Sequence, residues 1–169
     1  MGLFTYNVSD VCYPLLASKS RTLFKLFLCD TGLLSFKLLG TNAIKVLNGN
    51  TTINYGAIYE NVVAKELSSH GFKLFYSNDK KRGEVDFLIE YDSKVIPVEV
   101  KSGKDYKRHS ALDNLLSDKN KEIEKAYVFS NGNVEVKGKR IYLPIYMVTF
   151  LSTENEAEDT IFKVDISAL

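Results

Sequence analysis

Two alternating runs, residues 83–91 and 95–101, place acidic side chains where two strands of a hairpin would meet. If the chain reverses over residues 92–93 as a two-residue loop, Asp86 lies opposite Glu99 on the neighbouring strand. Directly opposed residues have Cβ atoms about 5 Å apart, and two carboxylates this close repel unless a cation lies between them or one is protonated. The spacing therefore predicts a cation site, on the condition that the loop has two residues rather than three.

Magnesium is the natural cation for such a pair, and manganese is its alternative. Mg²⁺ binds through one or two carboxylates, keeps several waters and accepts a phosphate oxygen. Lys101 follows Glu99 by two residues, so both side chains lie on the same side of the strand. Glu-Val-Lys on a strand is by itself usually an exposed ion pair, and the acid on the partner strand is what favours a site here.

A third acid, Glu60, lies on the predicted helix that precedes these strands, over residues 55–70. Gly56, Ala64 and Leu67 lie on the same side of this helix as Glu60, whereas Asn61, Lys65 and Ser68 form its more polar side. Small neighbours allow this part of the helix to approach the sheet closely. We therefore expect Glu60 to reach the same site.

Basic residues flank both strands although the net charge of the chain is only +1. In an antiparallel pair, the start of one strand and the end of the next lie at the same edge. We therefore expect six cations to surround one end of the hairpin and contact a nucleic-acid backbone. A turn rich in cations is more often simply solvated. The six residues are Lys80, Lys81, Arg82, Lys104, Lys107 and Arg108.

The other elements predict one domain of the α/β (α+β) class, a mixed sheet flanked by helices. Asp30 is placed to begin a helix that ends at Gly40, and residues 23–29 suit a buried strand. Ser110 and Asp113 have the spacing of a capping box for a later helix. From residue 55 onward the predicted order is helix, three strands, helix, strand.

Three stretches resemble the C-terminal domain of unknown function that follows the ATPase module in many bacterial and archaeal AAA-type ATPases. They are LFKLFLCDTGLL at 23–34, GAIYEN at 56–61 and VEVKSG at 98–103. The arrangement of Glu60, then GEVD at 83–86, then VEVK at 98–101 also resembles the PD-(D/E)XK nuclease motif. These resemblances lie within residues 13–151.

The resemblance implies a restriction-endonuclease-like core that hydrolyses phosphodiester bonds in DNA. It implies that Asp86, Glu99 and the Val100 carbonyl bind Mg²⁺ or Mn²⁺. Lys101 would orient or deprotonate the attacking water and stabilise charge on the phosphate, and Glu60 would help to bind a metal or its water.

Two departures from these families keep other functions open. The chain has no GxxxxGK[ST] motif, so we expect either a fragment of a longer ATPase or a lineage without its motor. The helix from Ser110 lacks the Gln and Tyr spacing of RecB-type nucleases, which favours a catalytically inactive interaction module of an ATPase that binds a partner protein or nucleic acid. A third hypothesis is a dimer formed through the alternating residues 162–168.

The organisation that we predict has three parts: an N-terminal segment at 1–20 with few regular patterns, a PD-(D/E)XK-like domain at 21–151, and an acidic linker with a final strand at 152–169. No signal peptide or membrane span is visible, because Lys25 and Asp30 interrupt the most apolar run. We therefore expect a cytoplasmic protein with no membrane partner.

Overall fold

A computed structural model describes residues 2–40, 55–103 and 106–153, which form a mixed α+β fold around one eight-stranded sheet. The sheet order is β2-β1-β3-β4-β5-β6-β8-β7. In these three ranges, two short 3-10 helices, Leu15–Ser18 and Ile145–Phe150, accompany three α-helices. The elements are β1 Gly2–Val8, β2 Lys19–Leu28, α1 Thr31–Leu39, α2 Gly56–Ser69, β3 Phe75–Asp79, β4 Gly83–Tyr91, β5 Lys94–Val100, α3 Ser110–Ser117, β6 Ala126–Ser130, β7 Glu135–Lys137 and β8 Arg140–Pro144.

The order of elements from α2 onward is the predicted one: helix, three strands, helix, strand. Strands β3, β4 and β5 are antiparallel, whereas β6 adds parallel to β5 and β8 adds parallel to β6. The sheet is therefore mixed, as expected.

The central hairpin confirms the predicted two-residue loop. Asp92 and Ser93 have φ angles of 49° and 57°, the left-handed values that a tight hairpin turn needs at both central positions. Tyr91 consequently pairs with Lys94, and the ladder continues in register to the pair of Phe87 and Val98.

A β-bulge in β4 changes the alternation that the sequence suggests. Phe75 of β3 pairs with Leu88 but Ser77 pairs with Val85, so two steps along β3 match three along β4. Phe87 therefore packs in the core layer under α2, whereas Val85 packs with Leu88 in the layer on the other side of the sheet. The alternating run at 83–91 predicts Val85, Phe87 and Ile89 on one face of the strand, and this prediction is wrong for Val85. The extra residue falls at Asp86–Phe87, and bulges of this kind re-aim side chains.

The core has two main layers, one on each side of the sheet. One layer packs α2 and the second 3-10 helix on the sheet through residues such as Leu67, Phe87 and Val148. The other packs α3 and the first 3-10 helix through residues such as Leu115, Leu88 and Leu15. The two helices thus fix the middle of the sheet from opposite sides.

Helix α1 has the predicted ends. The Asp30 side chain accepts a hydrogen bond from the Leu33 N–H at 2.9 Å, and Gly40 follows the last helical residue with a φ of 50°. Helix α2 likewise ends before Gly71, whose φ is 86°.

The N-terminal residues contribute a strand that the sequence pattern did not indicate. Strand β1 buries Thr5 and Asn7 on one side, so its buried face is largely polar. A half-buried strand is usually recognised because its apolar residues alternate with polar ones and face the core. In β1 polar side chains face the core, so this sign is missing.

Strand β2 was correctly predicted as a strand but wrongly predicted as buried. It lies at the edge of the sheet, and the side chains of Leu23, Phe24 and Leu26 are each at least half exposed. Phe27, which packs under α2, is buried. The short apolar run at 72–76 also predicts a strand, and the observed strand, β3, begins three residues later, at Phe75.

The predicted capping box of α3 is not formed. His109 is the N-cap of α3, and Asp113 instead accepts a hydrogen bond from the Arg140 guanidinium at 2.9 Å. His109 is buried and its Nε2 lies 2.8 Å from the Tyr142 hydroxyl, so a tertiary contact begins this helix.

Asn61 is a buried bridge, not part of an exposed polar side of α2. Its amide exchanges hydrogen bonds of 2.8 and 2.9 Å with the backbone N–H and C=O of Leu28 and donates another of 3.0 Å to Thr31. The side chain therefore joins α2 to the end of β2 and the start of α1.

We expect Asn61→Ala to lower the free energy of unfolding by roughly 2–4 kcal/mol, because it leaves partly buried backbone groups of Leu28 without partners. Urea titration measures the change. Asn133→Ala, in an exposed turn, is the matched control and should change the midpoint little. Equal unfolding midpoints for the two variants would show that the bridge contributes nothing.

Within the described residues, no helix is both long and apolar enough to cross a membrane. The predicted strand at 162–168 and the acidic linker from 154 onward lie outside the described residues.

Candidate active site

Glu99 and Lys101 form the buried centre of the site. The Glu99 side chain is 5% exposed, and its Oε1 accepts a 2.7 Å hydrogen bond from the Nζ of Lys101, whose side chain is 32% exposed. The second oxygen, Oε2, is buried and has no hydrogen-bond partner within the described residues. Since buried carboxylate oxygens are nearly always satisfied, this oxygen marks a place for a further ligand.

Asp86 reaches the same point from the partner strand. The ladder pairs of the hairpin run to Phe87 and Val98, and beyond them the Asp86 Oδ2 accepts a 2.8 Å hydrogen bond from the Val100 N–H. The carboxylate, placed by the bulge in β4, thus contacts the backbone next to Glu99. The structure brings these two acids and Lys101 together at one end of the hairpin.

The neighbouring lysines do not fully compensate the negative charges of Asp86 and Glu99. Burial, and then the charge of Asp86, raise the pKa of Glu99 to about 7, although Lys101 opposes the shift. Burial also raises the pKa of Asp86, against the hydrogen bond from Val100 and the charges of Lys25 and Lys101. Two buried carboxylates with raised pKa values are the expected result when neighbouring cations do not fully compensate for lost water.

Glu60 is close enough to this group to feel the charge of Asp86, and its nearest cation is one that the sequence pattern did not indicate. That Glu60 binds the same ion stays a prediction. Burial and the charge of Asp86 raise the pKa of Glu60. Lys25 of β2 places its Nζ 4.0 Å from the Glu60 Oε2 and also forms an ion pair with Glu84. The available sequence feature was a single lysine in the apolar run at 23–29. This lysine could be paired with Glu60 only with the knowledge that β2 runs beside α2.

Helix α2 is also tied to the loops that follow β5 and β6. The Tyr59 hydroxyl donates a 2.8 Å hydrogen bond to the Asn131 side chain, and the Asn131 amide donates one of 3.4 Å to the Ser102 carbonyl. Tyr59 precedes Glu60, so these bonds hold the acid close to the chain that leaves Lys101.

Four carboxylates and two ammonium groups form separate pairwise contacts in this region: Glu60, Glu84, Asp86 and Glu99 with Lys25 and Lys101. With all groups ionised, the set carries two negative charges more than positive ones. In the described part of the chain no three His, Cys, Asp or Glu side chains converge closely enough to form a metal cluster. An ion that binds through one or two carboxylates and keeps its waters, such as Mg²⁺, does not need such a cluster, and its binding here stays a prediction.

The predicted basic residues divide into paired and solvated ones. Arg82 forms an ion pair with Asp118 at 3.2 Å, and Lys107 forms one with Glu135 at 2.8 Å. Lys80, Lys81 and Arg108 are exposed. Lys104 lies outside the described residues. A nucleic-acid contact by these residues stays a prediction.

Comparison with known proteins gives a family but no named relative. The sequence model of the family described as "Domain of unknown function (DUF4143)" matches residues 55–148, more than half of the chain. This match contains Glu60, Asp86, Glu99 and Lys101 but excludes β1 and β2. No curated protein and no solved structure gives a significant match. The chain belongs to the DUF4143 family, whose domain is often found at the C-terminus of AAA ATPases.

Proposed function

We propose that this chain is a divalent-metal-dependent nuclease-like domain that hydrolyses phosphodiester bonds in DNA. The observation that carries the proposal is the buried Glu99 Oε2, which has no protein partner in the described residues and lies in the group formed with Asp86 and Lys101. A bound Mg²⁺ or Mn²⁺ would polarise a phosphate oxygen and lower the pKa of a bound water.

The protein residues would divide the work as follows. Asp86, Glu99 and the Val100 carbonyl would hold the ion, and Glu60 would hold it or one of its waters. Lys101, fixed by Glu99, would place a positive charge beside the scissile phosphate. The exposed cations on both sides of the hairpin, and Lys104 with them, would contact the DNA backbone.

A restriction-endonuclease-like core of the PD-(D/E)XK kind is part of this proposal. It is supported by the order helix, three strands, helix, strand, and by a central hairpin whose ladder ends where the acids meet. The family's frequent place in AAA ATPases supports a role in the cytoplasm as the effector or DNA-binding end of such a motor.

A second function, an inactive interaction module of an ATPase, is favoured by the outer face of β1 and β2. Phe4, Phe24 and Leu26 are each at least half exposed, and the rings of Phe4 and Phe24 lie 5.4 Å apart. Contiguous exposed apolar groups often mark a contact surface for another protein. This module would bind its partner without turnover and without any effect of a chelator.

A cleavage assay distinguishes the two functions. Purified protein is incubated with single-stranded, duplex and branched DNA in Mg²⁺, in Mn²⁺ and in EDTA. We expect metal-dependent nicking by the wild type, because the acids need a cation and the cation then faces the phosphate. Glu99→Ala serves as the inactive control. Intact substrates in every metal condition would overturn the nuclease function and leave the interaction module.

A further inference from the structure

A polar crevice of about 650 Å³ lies at the carboxyl ends of strands β1 and β3. These strands are parallel neighbours in the sheet, with Tyr6 opposite Phe75. After β1 the chain continues to β2 on one side, whereas after β3 it continues to β4 on the other side. The two connections therefore separate and leave a crevice between them. In open α/β sheets, ligands bind in such a crevice, outside the carboxyl ends of the strands.

Hydrogen bonds hold both walls of this crevice. The buried Asn7 side chain accepts a 3.0 Å hydrogen bond from the Asn78 N–H and so joins the ends of the two strands. In the turn after β3, the Asp79 side chain accepts hydrogen bonds of 2.8 Å and 2.9 Å from the backbone N–H groups of Lys81 and Arg82. The walls are therefore shaped by the protein itself and need no ligand to form.

The acids of this crevice already have partners, whereas two of its lysines do not. Asp79 takes the two backbone hydrogen bonds, which lower its pKa. Asp10 forms an ion pair with Lys121. Lys80 and Lys81 are exposed, and neither forms an ion pair with any residue in the described ranges. An anion that enters the crevice therefore meets two ammonium groups without competing carboxylate partners.

The lining favours phosphate groups and not bases. The described residues that line the crevice, 7–11 and 77–82, include no aromatic side chain on which a base could stack. They offer lysine, asparagine and serine side chains, which are groups that contact the sugar and phosphate of a nucleic-acid backbone. Such contacts position a strand without reading its sequence.

The crevice adjoins the candidate active site. The Asn78 amide, on the wall of the crevice, donates a 2.8 Å hydrogen bond to the Glu84 Oε2. Glu84 is in turn paired with Lys25, beside Glu60. A backbone that reaches the acids of β4 and β5 can therefore continue over the β3–β4 turn into the crevice.

We propose that this crevice binds a phosphate of the DNA backbone close to the one that is hydrolysed, with Lys80 and Lys81 as the cations that hold it. The inference rests on the DNA-binding part of the proposed function. It adds one defined place for the backbone, on the β1–β3 side of the acids, and it selects two of the basic residues as the ones that carry binding.

Binding of a fluorescein-labelled DNA duplex, measured by anisotropy in EDTA over a series of salt concentrations, tests this site without cleavage. Each lysine that contacts a phosphate contributes about 1 to the steepness of log affinity against log salt. We therefore expect the double variant Lys80→Gln with Lys81→Gln to bind more weakly and to reduce this steepness by about 2. Lys80→Arg with Lys81→Arg keeps both charges and should keep the wild-type steepness.

The matched control is Lys137→Gln with Lys139→Gln. These two exposed lysines lie in the β7–β8 turn at the opposite end of the sheet, and their loss changes the net charge by the same amount. This control should keep the wild-type steepness. Circular dichroism confirms that each variant is folded.

The possible results separate this inference from hydrolysis. Equal steepness for the two Gln double variants would overturn the crevice as a phosphate site and leave the proposed hydrolysis untouched. A wild type that does not bind the duplex at the lowest salt concentration would overturn the inference, and the cleavage assay would then decide hydrolysis by itself. The expected loss of steepness together with intact substrates in every metal condition would support the crevice and overturn hydrolysis.

Discussion

We expect Lys101→Met to reduce metal-dependent cleavage of DNA by at least about 100-fold, the usual cost of losing one group that stabilises developing charge in a transition state. Lys101 donates to the Glu99 Oε1 at 2.7 Å and is partly exposed, so its ammonium can face a phosphate while Glu99 fixes it. Burial lowers its pKa, but the hydrogen bond and charge of Glu99 and the charges of Asp86 and Glu60 outweigh burial and raise it. A lysine that stays protonated stabilises charge and orients water, and we do not expect it to remove a proton.

Initial rates of nicking under single-turnover conditions measure the effect of this substitution. Lys94→Met is the matched control, since Lys94 is an exposed lysine at the other end of the same hairpin, paired with Glu124. The control should cleave at the wild-type rate. A Lys101→Met protein that cleaves as fast as this control would remove Lys101 from the mechanism.

The parts of the fold that follow from local sequence were predictable. The turn at Asp92 and Ser93 fixes the register of the hairpin, and the register fixes which acids meet. The ends of α1 and α2 follow from Asp30, Gly40 and Gly71 for similarly local reasons. These features depend on residues that are close in sequence.

The rest depends on contacts between distant segments, which a single sequence does not indicate. Lys25 and Glu60 are far apart in the chain and meet because β2 runs beside α2. Asn61 looks like a surface residue until the end of β2 is placed against it. The bulge at Asp86–Phe87 arises from the pairing of β4 with β3, so alternation alone could not place Val85. In each case the sequence gives the residue type and long-range pairing gives its environment.

In the absence of metal we expect Glu99→Gln to stabilise the protein at about pH 8, by up to about 3 kcal/mol. Burial and Asp86 raise the pKa of Glu99 from 4.5 to about 7, and each pKa unit corresponds to about 1.4 kcal/mol. The folded state therefore binds a proton between about pH 4.5 and 7 that the unfolded state does not. The wild-type free energy of unfolding should accordingly fall as pH rises through this range, and full loss of the contribution is reached above about pH 7.

Urea unfolding at about pH 5.5 and about pH 8 in EDTA tests this expectation, and the same titration with Mn²⁺ tests the site. Asp86 and Glu60 have raised pKa values too and change stability in the same direction. Because the charges of Asp86 and Glu99 interact, the difference between wild type and Glu99→Gln measures the titration of Glu99 together with its effect on Asp86. Glu124→Gln is the control, because Lys94 lowers the pKa of this exposed acid, which therefore titrates below the range of pH 4.5 to 7.

At about pH 8, Mn²⁺ at 100 times its dissociation constant should stabilise the wild type by about 3 kcal/mol and leave Glu99→Gln nearly unchanged. If wild type and Glu99→Gln lose stability equally between the two pH values, Glu99 is already ionised at the lower pH in the folded protein, and neighbouring cations fully balance its charge. Its second oxygen would then have no need of a metal ion.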